Sequence, residues 1–437
     1  MYRLSLVWTA LRASFWFLPY VIVTVFIAAA VVLTHLQPDV ARAWRHVFPD
    51  LFDVGSNGAR DMLSTIASSM MSVVGIVFSM TLVALTLASS QYSSRVLRTF
   101  MRSRVTQISI GVFAGLYVYC LIVLRGIRGD GDELVVPVGA VALAMLAAAG
   151  AVALLIFFIH HIAISIQAAS VLANIARETV ETIETMYPAP CADEEPREQE
   201  PAAAGGQLVC ARRSGYIQSI DEAALLALAG KHGVRIDLLR GVGQFVIRDT
   251  AVMRLSGGPR LGPDDERALC RTVSLSDERT VAQDPAFGIR QIVDVALRAL
   301  SPGVNDTTTA VMALDNLGTI LAAMGPRGFP SRYQCDGQAV RLVTVQPDYP
   351  MLVGEAFDQI RRSADGNVAV LLRIAGTIEL IGTLKLPAQR YRPLVEQLDY
   401  LAEANERTVP AAFDRDTVRE RIAQARACLA AELAQGS

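Results

Sequence analysis

The sequence predicts a mixed fold: a four-helix transmembrane domain with N- and C-termini in the cytoplasm, then a cytoplasmic α+β domain with a small β-rich barrel-sandwich-like module. Three observations predict it. Four long apolar runs all lie before residue 160, in a chain of 437 residues that is 52% hydrophobic and only 19% charged. Soluble domains average about 25% charged residues, so this apolar surplus needs a lipid environment. Charge is also divided: residues 1–187 carry a net +2 and residues 188–437 a net −4, which together give −2. Finally, strand alternation and amphipathic helical spacing dominate only beyond residue 206. A single soluble globule, a disordered chain and a nucleic-acid binder driven by bulk charge are excluded.

The apolar runs are 15–36, 62–88, 108–124 and 134–159. A helix needs about 20 apolar residues to cross the hydrocarbon core, with a range of about 17–25, so each is read as a span and the third as the shortest. The first exceeds a signal-peptide core of about 7–15 residues, and three spans follow it, so it is retained. Trp8, Trp16 and Trp44 flank it, as interfacial anchors do. Between spans two and three stand Arg95, Arg98, Arg102 and Arg104 with no acid, whereas the other two loops mix Arg with Asp or Glu. The positive-inside rule therefore places both termini and the Arg-rich loop in the cytoplasm.

Span two is the most informative. Thr65, Ser68, Ser72, Gly75, Ser79, Thr86 and Ser90 recur at steps of three, four or seven, on one helical stripe. Small residues spaced this way permit close helix packing. The same hydroxyls can line a watery path and replace part of a solute's hydration shell. Both hold if copies of span two surround an axis. No span carries a central Asp, Glu, Lys or Arg, which argues against a proton relay and leaves room for a passive pore. Arg95, Arg98 and Arg102 share a helical face at the cytoplasmic mouth, fit for anionic lipid or for a cationic ring. His160 and His161 end span four at the same level.

The fourth helix continues past the bilayer to about residue 186, and residues 188–206, rich in Pro, Gly and acids, form an exposed linker. Residues 207–256 form the β-rich module, with strands near 209–213, 216–220, 234–239 and 245–247 and a helix over 222–231. Its series Ser-Gly-Tyr-Ile-Gln-Ser-Ile-Asp to Val-Gly-Gln-Phe-Val-Ile resembles a barrel-sandwich of the lipoyl type. A carrier needs a lysine at a hairpin tip, but Lys231 ends the helix, so no prosthetic group is expected. Residues 257–437 are mainly helical: 263–275, 287–300, 305–324, 351–362, 368–384, 393–405 and 414–435, with a strand at 339–345. Asp284, Arg290, Asp294, Arg298, Asn305, Asp306 and Thr309 form a polar cluster. Such residues hold helices together, or bind a small ligand or ion.

Catalytic signatures are lacking. The only lysines are Lys231 and Lys385, followed by His232 and Leu386 and not by the Ser or Thr that a P-loop's Gly-Lys requires. No G-x-S-x-G, H-E-x-x-H, G-x-G-x-x-G or C-x-x-C occurs, and the six cysteines read as scattered reduced thiols. No metal, no cofactor and no enzyme activity are expected.

Four stretches carry a family resemblance: Ala-Ser-Ser-Gln-Tyr-Ser-Ser-Arg from Ala88 to Arg95, Phe-Ile-His-His from Phe158 to His161, Gln-Asp-Pro-Ala-Phe-Gly-Ile-Arg from Gln283 to Arg290, and Ala-Leu-Ser-Pro-Gly-Val-Asn-Asp from Ala299 to Asp306. Through them the chain resembles, over almost its whole length, the bacterial predicted-membrane-protein family catalogued as domain of unknown function 2254. Thr307 stands where that family usually has Pro. The resemblance implies a bacterial inner-membrane protein and supplies no activity. The residues themselves point to a homo-oligomeric channel or passive transport protein. Span two would line the path, and the cytoplasmic domain would assemble or gate it. The alternative is a membrane-anchored scaffold or sensor whose cytoplasmic domain binds a ligand or partner. Expected partners are anionic inner-leaflet lipid, further copies of the chain, and an ion or small solute, with no nucleic acid.

Overall fold

The computed structural model describes residues 16–35, 56–91, 104–127, 138–187, 205–336 and 339–435. They fall into two compact units, Met1–Ser170 and Val171–Ser437. Among the described residues of the first unit four helices are long and apolar enough to cross a membrane. They are α1 (Phe17–His35), α2 (Ser56–Gln91), α3 (Arg104–Gly126) and α4 (Val138–Ser165).

Glycines on α3 let α1 lie close beside it. A Cβ at Gly111 would sit 3.0 Å from Pro19, one at Gly115 would strike Phe26, and one at Gly126 would sit 3.0 Å from Thr34. Those contacts advance together along both helices, so α1 and α3 run parallel. Helix α2 runs the other way, because Arg60 near its start donates to the Ile127 carbonyl just past the end of α3, at 3.1 Å. The Tyr119 hydroxyl of α3 donates to the Ala140 carbonyl of α4 at 2.9 Å. Phe113, Leu116, Cys120 and Val123 of α3 pack with Leu63, Met70 and Val77 of α2 into the core of this unit. Ala140, Ala144 and Ala151 of α4 are buried, consistent with small-residue packing.

The second unit begins inside the helical extension that the sequence assigns to the membrane domain. After a break at Ile166–Gln167, α5 (Ala168–Met186) buries Val171, Leu172, Ile175, Ala176, Thr179 and Ile183, one stripe at helical spacing. The strands then follow as β1 (Gln207–Cys210), β2 (Gly215–Ile220), β3 (Arg235–Leu238), β4 (Phe245–Val246) and β5 (Ala251–Ser256), with α6 (Glu222–His232) between β2 and β3. Asp221 caps α6 by accepting from the Ala224 amide, and Gly233 ends it in the left-handed conformation.

Two features differ from the sequence expectation. The helix expected over 263–275 is shorter. Helix α7 (Pro263–Arg271) stops at Thr272, and β6 (Val273–Ser276) pairs with β2, making the order β4-β2-β6. The run Thr-Val there is β-branched, and the free edge of β2 offers it a ladder. The module also does not close at residue 256. Strands β7 (Tyr333–Asp336) and β8 (Ala339–Val343) complete a five-stranded sheet of order β1-β5-β3-β8-β7, with Ile236 opposite Leu342 in the parallel β3–β8 pair. Without β8, β3 would present an unpaired edge.

The remaining helices are α8 (Pro285–Ala299), α9 (Thr307–Met324), α10 (Tyr349–Ser363), α11 (Val368–Gly382), α12 (Ala388–Thr408) and α13 (Ala412–Gln435). Their apolar faces meet in a core that includes Ile292, Leu314, Leu317, Phe357, Ile374 and Leu398, each fully buried.

Candidate functional site

Helix α2 has two opposed faces. Ala59, Leu63, Ala67, Met70, Val77 and Ala84 are buried against the rest of the first unit. At about 100° per residue they centre on one direction, and Thr65, Ser68, Ser72, Gly75, Ser79 and Thr86 lie within about 40° of the opposite one. All six of those stripe residues are exposed. Close packing inside one protomer therefore does not account for the stripe. A Cβ at Gly75 would meet nothing within 4 Å. The hydroxyls are locally satisfied: Thr65 donates to the Asp61 carbonyl at 2.7 Å, Ser68 to Ser64 at 2.8 Å, Ser72 to Ser68 at 3.1 Å and Thr86 to Val83 at 2.8 Å. Each such oxygen keeps lone pairs facing outward. The side chain of Ser90, and the whole of Arg95, Arg98 and Arg102, lie outside the described residues.

His160 is exposed near the end of α4. The His161 ring stacks on Phe157 at 6.1 Å, and its Nε2 is 3.4 Å from the Ser165 hydroxyl.

The seven polar residues of the second unit do not converge on one site. Asp284 stands at the start of α8 and Asp306 just past its end, about 20 Å apart for a helix of this length. Asp284 is 4% exposed and caps α8, accepting from the Phe287 amide at 3.2 Å. Its Oδ2 accepts from Arg279 Nε at 2.9 Å and Nη2 at 2.7 Å. Burial raises the Asp284 carboxyl above its ordinary range, against the pull of Arg279. Arg290 pairs with Asp294 at 2.9 Å and with Glu355 at 3.2 Å, joining α8 to α10. Arg298 is exposed. Asn305 takes a left-handed φ of 49° in the turn between α8 and α9. Asp306 caps α9 through the Thr309 amide at 3.0 Å and the Thr309 hydroxyl at 2.5 Å, and these bonds hold its carboxyl below the ordinary range. Six of the seven thus cap helices, join them or shape the turn between them.

What does form a site is a cavity of about 380 Å³ at the C-terminal end of α5. Tyr187, Glu222, Gln283 and Asp284 supply its polar wall, and Leu238, Val242 and three prolines its apolar wall. Tyr187 is 2% exposed. Burial, and then the Asp284 charge, push its hydroxyl up to about 12. Its backbone carbonyl accepts from Arg327 Nη1 at 2.9 Å, and its ring meets Phe329 edge-on at 5.0 Å. Both contacts fix the end of α5 to the loop after α9. Sequence reasoning reached Asp284 but missed Tyr187 and Glu222. A tyrosine closing an amphipathic helix directly before Pro188 was the available signal. Among the described residues, no group of three or more His, Cys, Asp or Glu is arranged to hold a metal.

The family model described as predicted membrane protein (DUF2254) matches residues 12–379. The chain belongs to this family. Relatives from Mycobacterium bovis and Mycobacterium tuberculosis, each described as an uncharacterized protein, are 28% identical over 432 residues, covering 95% of this chain and 80% of theirs. No solved structure matches. The family match spans α1 to α4 and runs through the sheets into α11. In this DUF2254 member the apolar spans, the α2 stripe and the α5 cavity are therefore all parts of the region the family model covers.

Proposed function

We propose that this DUF2254 protein is a homo-oligomeric channel or passive transport protein of the bacterial inner membrane, with N- and C-termini in the cytoplasm. The observation that carries the reading is the hydroxyl stripe of α2, which lies opposite the face that α2 packs against its own protomer. Around an axis, copies of α2 would bring Ser68, Ser72, Gly75 and Ser79 together. Small residues allow close approach, and oxygen lone pairs replace part of a solute's hydration. Arg95, Arg98 and Arg102 would ring the cytoplasmic mouth and bind anionic lipid or concentrate anions. The C-terminal unit would assemble or gate the path, with α5 as its connection to the last span.

Reconstitution in liposomes tests the reading. Wild-type protein should pass an ion or small solute down its gradient. Gly75→Leu should block that flux without disturbing the protomer, because the space at Gly75 is open. Cysteines placed at Ser72 should cross-link between copies. Liposomes that pass no ion or small solute under any gradient would overturn the proposal.

A second reading, a membrane-anchored sensor, is favoured by a specific observation. The stripe hydroxyls donate to their own helix backbone, which makes a lipid-facing position tolerable. A protein that stays monomeric in detergent and lipid supports this alternative.

A further inference from the structure

The cavity at the end of α5 has unbalanced charge. None of its lining residues is Lys, Arg or His. Asp284 is balanced by Arg279, which reaches it at 2.7 Å. Glu222 has no cationic partner among the described residues. Amides hold its carboxylate instead: Gln334 donates to Oε2, and Gln346 donates to Oε1 at 3.4 Å. Neutral amides orient a carboxylate without neutralising it. Tyr187, in the same lining and 2% exposed as a residue, makes no hydrogen bond through its hydroxyl to any described residue. A carboxylate without a counter-charge and a hydroxyl oxygen without a protein partner, which is not itself among the buried atoms, are both open to a ligand.

The walls narrow the ligand. Leu238, Val242, Pro285, Pro330 and Pro347 are apolar, and about 380 Å³ is the size of a small-molecule site. A bare divalent cation takes six or more oxygens, and among the described residues no three His, Cys, Asp or Glu side chains are grouped to hold one. An anion finds no positive group in the lining. A neutral ligand leaves the Glu222 charge unanswered.

We propose that this cavity binds a small organic ammonium ion, with Glu222 pairing with its charge, the Tyr187 hydroxyl accepting from its N–H, and the prolines and Val242 covering its apolar body. The Tyr187 ring adds a face toward which a cation is attracted. Binding gives the ligand a hold on Tyr187, the residue that follows α5. The proposal stands whether or not anything crosses the membrane.

The test is titration calorimetry on the full chain in detergent micelles at pH 7. The probe is n-butylammonium chloride, with n-butyrate as the anion of matching shape. Saturable binding of the ammonium alone is expected. Glu222→Gln removes the charge at nearly the same shape, with one of the two partner amides turning over to accept from the new NH2, and should weaken binding at least tenfold, and Tyr187→Phe should weaken it two- to fivefold. Val242→Phe, which fills the cavity and leaves both polar groups in place, should abolish binding, and it serves if Glu222→Gln fails to fold. No saturable ammonium binding, equal binding of butyrate, or full affinity in a folded Glu222→Gln or Val242→Phe protein would each overturn the assignment.

Discussion

Adding one methyl group at Gly288 probes how α5 is held in the second unit. Helix α8 passes so close to α5 there that a Cβ on Gly288 would collide with the Thr179 hydroxyl and lie 2.8 Å from its Cγ2 and 2.9 Å from its Cβ. Thr179 is fully buried, and its hydroxyl donates to the Ile175 carbonyl at 2.7 Å, so it has no free direction in which to move. Overpacking of this kind costs about 1–3 kcal/mol. Replacing a mid-helix glycine with alanine returns about 0.5–1 kcal/mol of helix propensity. The difference spans about 0–2.5 kcal/mol, and because the collision is with a fixed, buried hydroxyl the net loss for Gly288→Ala falls near the upper end, about 2 kcal/mol, or about 4–8 °C in Tm for a unit of this size. Thr179→Ala removes the two nearest atoms and leaves only the 2.9 Å approach of the β-carbons. In that background Gly288→Ala should cost about 1 kcal/mol less, a coupling of the size that contacting residues show. All three tryptophans precede residue 45, so fluorescence follows the first unit. Hydrogen exchange of peptides from α5 and α8 in the full-length protein, under a urea or temperature series, is the appropriate assay. Additivity of the two single changes within about 0.5 kcal/mol would refute the α5–α8 contact.

Three further outcomes follow from the site geometry. Asp306→Ala removes the cap of α9 and should cost about 0.5–2 kcal/mol, read by exchange of the Thr307–Met324 helix. Because the native Asp306 carboxyl is held below its ordinary 3.8, its contribution is present above that pH and is lost as pH falls through the lower native value, so wild type and variant should converge in acid. Asp284 has the opposite sign. Its native carboxyl is raised, the folded protein holds the extra proton, and stability falls as pH rises from 3.8 through the raised value; Asp284→Asn should flatten that slope, and an unchanged slope would count against the assignment. Gly243→Ala should lower stability by about 2 kcal/mol and loosen the first turn of α8, since Gly243 has φ of 82° and its Cβ would strike Asp284 and sit 2.8 Å from Arg279 Nη2.

Much of the fold was legible because its signals are local. Helix α1, Phe17–His35, falls inside the apolar run 15–36, and span length is fixed by the thickness of a bilayer. The caps Asp221 and Asp306 are local in the same way, because an N-cap side chain bonds within its own first turn. The same locality explains the misplaced boundary at Thr272, where helix and strand signals overlap and a partner strand decided the outcome.

The candidate sites divide along the same line. Periodicity alone showed that Ser68, Ser72 and Gly75 share a stripe, since 3.6 residues per turn is a property of the helix itself. Which way the stripe faces was settled only by packing, because α3 claimed the Leu63–Met70–Val77 face and left the hydroxyls outside. Proximity in sequence likewise suggested one cluster from Asp284 to Thr309, and the length of α8 separates its ends. The cavity was invisible in the chain order: Glu222 meets Gln346 across 124 positions. Apolar length and helical spacing were determined by the sequence alone, through interactions that reach a few residues. The exposed α2 stripe and the cavity that holds both Glu222 and Tyr187 were decided by tertiary structure, because they depend on which faces win the competition for burial.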